Sequence, residues 1–269
     1  IYYYQCDVKI PGKVWINYND FFQILVQSLN FLFEDILDRI LLKRVDTMIV
    51  IDDKNLNYAK LQYRFLIKNI KLIYPLTNFN LINTSFENAS KNIKELFSLN
   101  KKYLAIVGTL DDRKNPEKSI ELLYHLVSKG LNYSLLIIGD GELKSNLMKK
   151  VVELGLIQKV FFLGKVSNVD LNLIYKNIFC NLFFAKHQSW GLTPFEALKY
   201  HKPSIISEDA GCSEFLKKHK IGHIHNLNSN FDCCEEFLEK NCAKFKFNKK
   251  NLEELYPENY IKKLLNIIF

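Results

Sequence analysis

The chain has 269 residues, room for one large or two modest domains. Hydrophobic residues make up 48% and charged residues 25%, an ordinary globular composition that excludes disordered, collagenous and membrane-embedded classes. A net charge of +8 and a pI near 9.0 favour anionic partners, yet the lysines lie scattered among asparagines, so no nucleic-acid partner is expected.

The first residues, Ile1-Tyr-Tyr-Tyr, read like the inside of a strand that runs over Tyr2–Cys6. The chain therefore looks like a fragment beginning within a domain, and a preceding leader or anchor stays open. Phe21–Lys43 predicts a long helix. It is the most apolar stretch, but Gln23, Gln27, Asn30, Glu34, Asp35, Asp38 and Arg39 interrupt it, so it does not read as a membrane span. Thr47–Ile51 predicts a strand, Leu56–Phe65 a helix, and Lys71–Tyr74 a strand ended by Pro75. Thr77–Asn100 is rich in Asn and Ser and reads as a linker with a poorly ordered helix.

From Tyr103 the alternation is clean. Apolar runs end at Gly108, Gly139 and Gly164, and each reads as a buried strand. Helices are expected over 116–129, 142–154 and 170–177, then a strand over Cys180–Phe184, a helix over Thr193–His201 and a strand over Ser204–Ser207. Tyr256–Phe269 predicts a terminal helix. Strands alternating with helices imply doubly wound parallel sheets. The expected division is a partial N-terminal α/β domain over 1–78, a linker over 79–100, a C-terminal domain over 101–250, and a helix over 251–269 that packs back on the N-terminal domain.

Six cysteines occur, none in a C-x-x-C pair and none with a histidine at zinc spacing. This is the usage of a reduced, cytoplasmic protein, and no metal site is expected.

Chemistry concentrates where strands meet helices. Gly108-Thr-Leu-Asp-Asp-Arg113-Lys114-Asn-Pro116 places two cations before a helix, where they would suit a diphosphate; mutual neutralisation with Asp111 and Asp112 is the plainer alternative. Gly139-Asp-Gly-Glu142 is not a dinucleotide fingerprint, and Asp140 reads best as a helix cap. Glycines at three successive strand ends lean towards close ligand approach, although turn chemistry also explains them. In Gln188-Ser-Trp190-Gly191-Leu192-Thr193-Pro194-Phe-Glu196, a glycine turn opens a helix whose first amides suit an anion. Thr193 to Glu196 also fits a capping box with Pro194 at the first helical position.

Taken in order, Val107–Leu110 with Arg113–Asn115, Ile137–Gly141, Val160–Gly164, His187–Leu198, and Lys202–Ser207 with Gly211 and Glu214 resemble the donor-binding half of family 4 glycosyltransferases. The likeness is dense over about residues 101–217 and weaker over Asp38–Ile51 and Ile73–Pro75. It implies a GT-B fold of two Rossmann-like doubly wound domains, the N-terminal one incomplete. The implied activity is retaining, metal-independent transfer from a nucleotide-diphosphate sugar to a glycan or lipid-linked acceptor. No cofactor is implied beyond that donor. Basic charge would suit peripheral association with the cytoplasmic membrane face.

By the same resemblance, Arg113 and Lys114 would hold the diphosphate, with Gly108 and Gly139 at neighbouring strand ends. The backbone at Gly191, Leu192 and Thr193 would hold the distal phosphate. Glu196 would take the ribose hydroxyls, and Gly164 with Lys165 would frame the base. Gln188 would contact the transferred sugar, where the family pattern has Glu. An amide still hydrogen-bonds but brings no negative charge to an oxocarbenium-like transition state. Near the start of the chain, Gln5 and Asp7 stand where the family's histidine is expected. An epimerase of the same architecture and a non-catalytic nucleotide-sugar-binding subunit stay open beside the transferase.

Overall fold

Two parallel sheets organise the residues described by the computed structural model, which are 2–4, 36, 39–77, 86–99, 101–188 and 190–268. The first sheet pairs β1 (Tyr2–Tyr4), β2 (Thr47–Val50) and β3 (Asn69–Leu72) in that order. Helix α1 (Asp53–Tyr63) links β2 to β3. It starts earlier than its apolar pattern suggests because extended Asp52 caps it, accepting from the Asn55 amide at 2.7 Å. Met48, Val50, Ala59, Tyr63 and Ile67 form the core between this helix and its sheet. The helix expected over 21–43 falls largely outside the described residues, although Ile36 and residues 39–42 are helical. Gln5 and Asp7 also lie outside them.

Helix α2 (Lys91–Ser98) precedes the second sheet, within the stretch read as a linker with a helix. Ile93 and Leu96, one helical turn apart, are buried and dock it on the sheet.

The second sheet contains β4 (Lys102–Val107), β5 (Tyr133–Ile138), β6 (Val160–Gly164), β7 (Cys180–Phe183), β8 (Ser204–Ser207) and β9 (His223–His225). Their spatial order is β6-β5-β4-β7-β8-β9, all parallel. The intervening helices are α3 (Pro116–Ser128), α4 (Lys144–Glu153), α5 (Asn168–Asn177), α6 (Thr193–Lys199), α7 (Ser213–Lys218) and α8 (Asp232–Glu236). Helix α9 (Pro257–Ile268) closes the chain.

Strand residues alternate between two covered faces. Leu104, Leu135 and Ile137 meet Ile120, Leu123 and Leu126 of α3 on one side. Tyr103, Ala105, Leu136 and Ile138 meet Ile93 of α2 and Leu173 and Ile174 of α5 on the other. Covering both faces is why these strands read as continuous apolar runs rather than alternating ones. Each such side chain, wholly withdrawn from water, contributes roughly 1.5–3 kcal/mol.

Three local expectations fail. Asp140 does not cap α4; Leu143 occupies that position, and Asp140 closes its own turn by accepting from the Gly141 amide at 2.9 Å. Thr193 is not an N-cap. Leu192 is, with helical backbone and no side-chain cap bond, so Thr193 and Pro194 already lie inside α6. Finally, β9 follows β8 as the edge strand, where the sequence reading ended the sheet at Ser207.

Candidate donor site at the sheet switch point

The chain runs from β4 outward through β5 and β6, then returns to the other side of β4 as β7. A reversal of that kind opens a crevice at the carboxyl ends of the two central strands. The loop after β4 carries Arg113 and Lys114, and the loop after β7 carries Gln188 and leads into α6 with Glu196. The topology thus places the predicted charged and amide residues on both sides of one crevice.

The loop after β4 is tightly held. The Lys114 amide donates to Asp111 Oδ1 at 2.8 Å, and Asn115 adopts a left-handed conformation (φ 50°) that Asn tolerates well. Pro116 then starts α3. The Lys186 amide donates to the Arg113 carbonyl at 2.7 Å, and the Lys186 ammonium pairs with Asp112 at 3.0 Å. The two aspartates therefore have partners other than the ammonium of Lys114. That ammonium reaches across the crevice to Gln188 Oε1 at 2.7 Å and lies 5.3 Å from the centre of the Phe183 ring.

Gln188 is also fixed through its backbone, whose carbonyl accepts from the Gly211 amide at 2.7 Å. A small cavity of about 20 Å³ between β4 and β7 is lined by Gly108, Thr109, Lys114 and Phe183. Gly108 and Thr109 also line a larger cleft of about 370 Å³, with Gly139, Asp140, Lys165, Val166 and Leu171. That volume lies within the range of small-molecule sites, roughly 300–1,000 Å³. Gly164 stands behind its rim, its carbonyl accepting from the Gly139 amide at 2.8 Å.

The structure thus brings Gly108, Gly139 and Lys165 together in one cleft, and Lys114 and Gln188 into contact beside it. Arg113 is exposed on the same turn as Lys114. Gly191, Leu192, Thr193 and Glu196 line neither cavity; they occupy the start of α6 beyond β7.

The strand-end glycines have reasons internal to the protein. A Cβ on Gly139 would sit 1.9 Å from the Gly108 carbonyl oxygen, and one on Gly191 would sit 2.4 Å from the Phe183 ring. At these two positions close packing of the chain on itself requires glycine. Trp190 is likewise a packing residue. Its ring stacks on Phe195 at 5.1 Å and contacts Tyr74, two residues past β3, at 5.3 Å. Ile51 and Tyr74 share one buried cluster with Phe183, Trp190, Phe195 and Phe215, so this turn is anchored on the segments that follow β2 and β3. The Tyr74 hydroxyl donates to Asp53 at 2.9 Å, and burial followed by that carboxylate pushes its pKa up. Lys54 also donates to the Glu208 carbonyl.

Glu196 has a partner that motif reading missed. Tyr175 of α5 donates its hydroxyl to Glu196 Oε2 at 2.7 Å. The phenol is 2% exposed, and burial, then the Glu196 charge, hold its pKa well above the ordinary value. The contact fixes one carboxylate oxygen and leaves the other for a ligand. Thr193 Oγ1, at the start of the same helix, is buried without a hydrogen-bond partner among the described residues. A hydroxyl in that state has a donor to give to an anion.

A fully parallel sheet with a switch-point crevice belongs to the class of doubly wound α/β proteins, which bind ligands at that crevice. Residues 88–232, more than half of the chain, match the model of the family described as glycosyl transferases group 1, and the chain belongs to that family. Among curated relatives, the uncharacterized glycosyltransferase MJ1607 of Methanocaldococcus jannaschii is 26% identical over an alignment of 180 positions that covers 60% of this chain and 46% of that protein. An alpha-1,4-N-acetyl-D-galactosaminyltransferase of Campylobacter jejuni, named for an undecaprenol-linked saccharide, is 33% identical over 130 residues, 47% of this chain and 33% of that protein. The chain thus matches less than half the length of either.

The fold is GT-B. The crystal structure of HepE from Anabaena, in complex with UDP and glucose, superposes with a TM-score of 0.67 at 15% identity, covering 83% of this chain and 63% of that one. Sucrose-phosphate synthase from Thermosynechococcus elongatus gives 0.67 at 18% identity over 87% of this chain and 60% of that one.

Proposed function

We propose that this chain carries the donor-binding half of a retaining, metal-independent glycosyltransferase. It would move a sugar from a nucleotide-diphosphate sugar to a glycan or lipid-linked acceptor. The observation that carries the reading is the Lys114–Gln188 contact across the switch-point crevice, beside a cleft of about 370 Å³, in a chain of this family. The base and ribose would occupy the cleft over Gly108, Gly139 and Lys165, with Gly164 behind the rim. The diphosphate would lie towards Arg113, Lys114 and the amides of Gly191, Leu192 and Thr193. Glu196, oriented by Tyr175, would accept from the ribose hydroxyls.

Transfer breaks the anomeric C–O bond, and the departing diphosphate takes the electron pair. Preorganised cations and amides aimed at that developing charge lower the barrier without requiring a divalent ion. Gln188 would hydrogen-bond the transferred sugar while itself held by Lys114. The undecaprenol-linked substrate in the Campylobacter relative's name suggests a lipid-linked acceptor at the cytoplasmic membrane face. No helix among the described residues is long and apolar enough to cross a membrane.

The test is Glu196→Ala in isothermal titration calorimetry with nucleoside diphosphates. Binding should weaken by about 1–3 kcal/mol, the usual cost of removing a hydrogen-bonded charged partner. Unchanged affinity in a folded variant would remove Glu196 from the site.

A further inference from the structure

A cluster of metal-ligating side chains lies away from the donor crevice, at the β9 edge of the second sheet. His223 and His225 are two residues apart on a strand and so project from the same face. Cys234 comes from α8, which packs against that face. One ligand atom from each of the three residues lies within 4.8 Å of the other two, and His225 Nδ1 is 3.3 Å from Cys234 Sγ. His225 is 2% exposed and Cys234 is fully buried.

The rings are held in place by aromatic neighbours. His225 stacks on Phe231 at 5.2 Å, and His223 stacks on Phe237 at 5.3 Å. Nε2 of both imidazoles is buried with no hydrogen-bond partner among the described residues. A thiol–imidazole hydrogen bond accounts for the His225–Cys234 contact. It does not account for the orphaned Nε2 of His223, the other histidine of the cluster, since buried polar atoms without partners are rare. The neighbouring group of His125, Asp232 and Glu235 differs: His125 already pairs with Glu235 at 2.8 Å near the surface and needs no ion.

We propose that His223, His225 and Cys234 form a His₂Cys site for one zinc ion, which clips edge strand β9 to α8. Nitrogen and sulfur donors select a borderline-soft cation, and two such ligands on one zinc sit about 3.3–3.7 Å apart, as the Nδ1–Sγ pair does. On binding, the Cys234 thiol loses its proton to solvent and the thiolate sulfur bonds the metal beside the two imidazoles. The role is structural and separate from sugar transfer, so it stands whether or not the transferase reading does. Sequence spacing hid the site because its two histidines precede the cysteine on an unforeseen strand.

The experiment uses the full chain after chelator treatment, with cobalt(II) and zinc(II) as probes. One cobalt ion per chain should bind and give a sulfur-to-cobalt charge-transfer band. The band should vanish in Cys234→Ser and persist in Cys233→Ser, whose cysteine is exposed. Excess zinc should raise Tm by on the order of 5 °C in the unaltered chain. His223→Gln, at a partly exposed position, should lose at least half of that rise. A missing band together with no zinc-dependent Tm rise in the unaltered chain would overturn the site. So would a band that survives Cys234→Ser, or a full zinc response in His223→Gln.

Discussion

The turns after β5 and β7 both place a positive-φ glycine at the carboxyl edge of one sheet, but different neighbours close them. Gly139 (φ 127°) lies against the backbone of Gly108, and its turn borders the open cleft. Gly191 (φ 106°) lies against the Phe183 ring, over an aromatic cluster that runs through Trp190 to Tyr74 just past β3. Backbone packed on backbone takes little room and leaves a cavity beside it. Rings packed on rings give a rigid post instead, and α6 starts from that post. One region supplies space for a ligand, and the other supplies fixed direction to Glu196.

The sharpest way to break this contrast is at Trp190. Trp190→Ala should cost about 3–5 kcal/mol of stability in urea unfolding, as for other large-to-small core changes. Trp190→Phe should stay much closer to the unaltered chain, since it keeps the stacked ring and removes the orphaned indole N–H. If Trp190→Ala left stability intact and lost nucleotide binding, the ring would belong to the ligand and the contrast would fail.

Next in size is a pair of glycine substitutions. Gly191→Ala should destabilise by about 2–3 kcal/mol, combining an unfavourable φ with a clash against Phe183. Gly164→Ala has φ 65° and no atom within 4 Å of the new Cβ, so only the left-handed backbone cost of roughly 1–2 kcal/mol should appear. Equal midpoints for the two variants would show that packing is not what sets Gly191 apart.

The smallest effect concerns Tyr175. Tyr175→Phe should weaken nucleotide-diphosphate binding by about 3–10-fold, the worth of one neutral-to-charged hydrogen bond, and less than Glu196→Ala does. A Tyr175→Phe variant as weak as Glu196→Ala would make the phenol a direct ligand contact.

Much of this could be read from residue order alone, and the exceptions have physical causes. The strands from β4 to β8 announce themselves because both faces of the sheet are covered, so each becomes an apolar run. β9 does not, because two of its three residues are histidines whose partners lie in α8. The bounds of α2 were blurred by an Asn- and Ser-rich stretch, although Ile93 and Leu96 carry a helical spacing. Thr193 looked like a cap because Thr-Pro-x-Glu fits that pattern, yet the turn is shaped by Trp190 packing, which no local pattern records. Lys114, Gln188 and Glu196 stood out through motif order. Tyr175 did not, since an apolar helix explains it fully until the fold brings Glu196, 21 residues on, to its hydroxyl.

The central claim is that Lys114 faces a diphosphate at the switch-point crevice. Calorimetry of the unaltered chain and Lys114→Ala, each with a nucleoside and its diphosphate, tests it most directly. The account predicts that the variant binds the diphosphate about 10–100-fold more weakly, the worth of a charge-assisted contact, while nucleoside affinity barely moves. Equal losses for both ligands, or no loss for either in a folded variant, would contradict it.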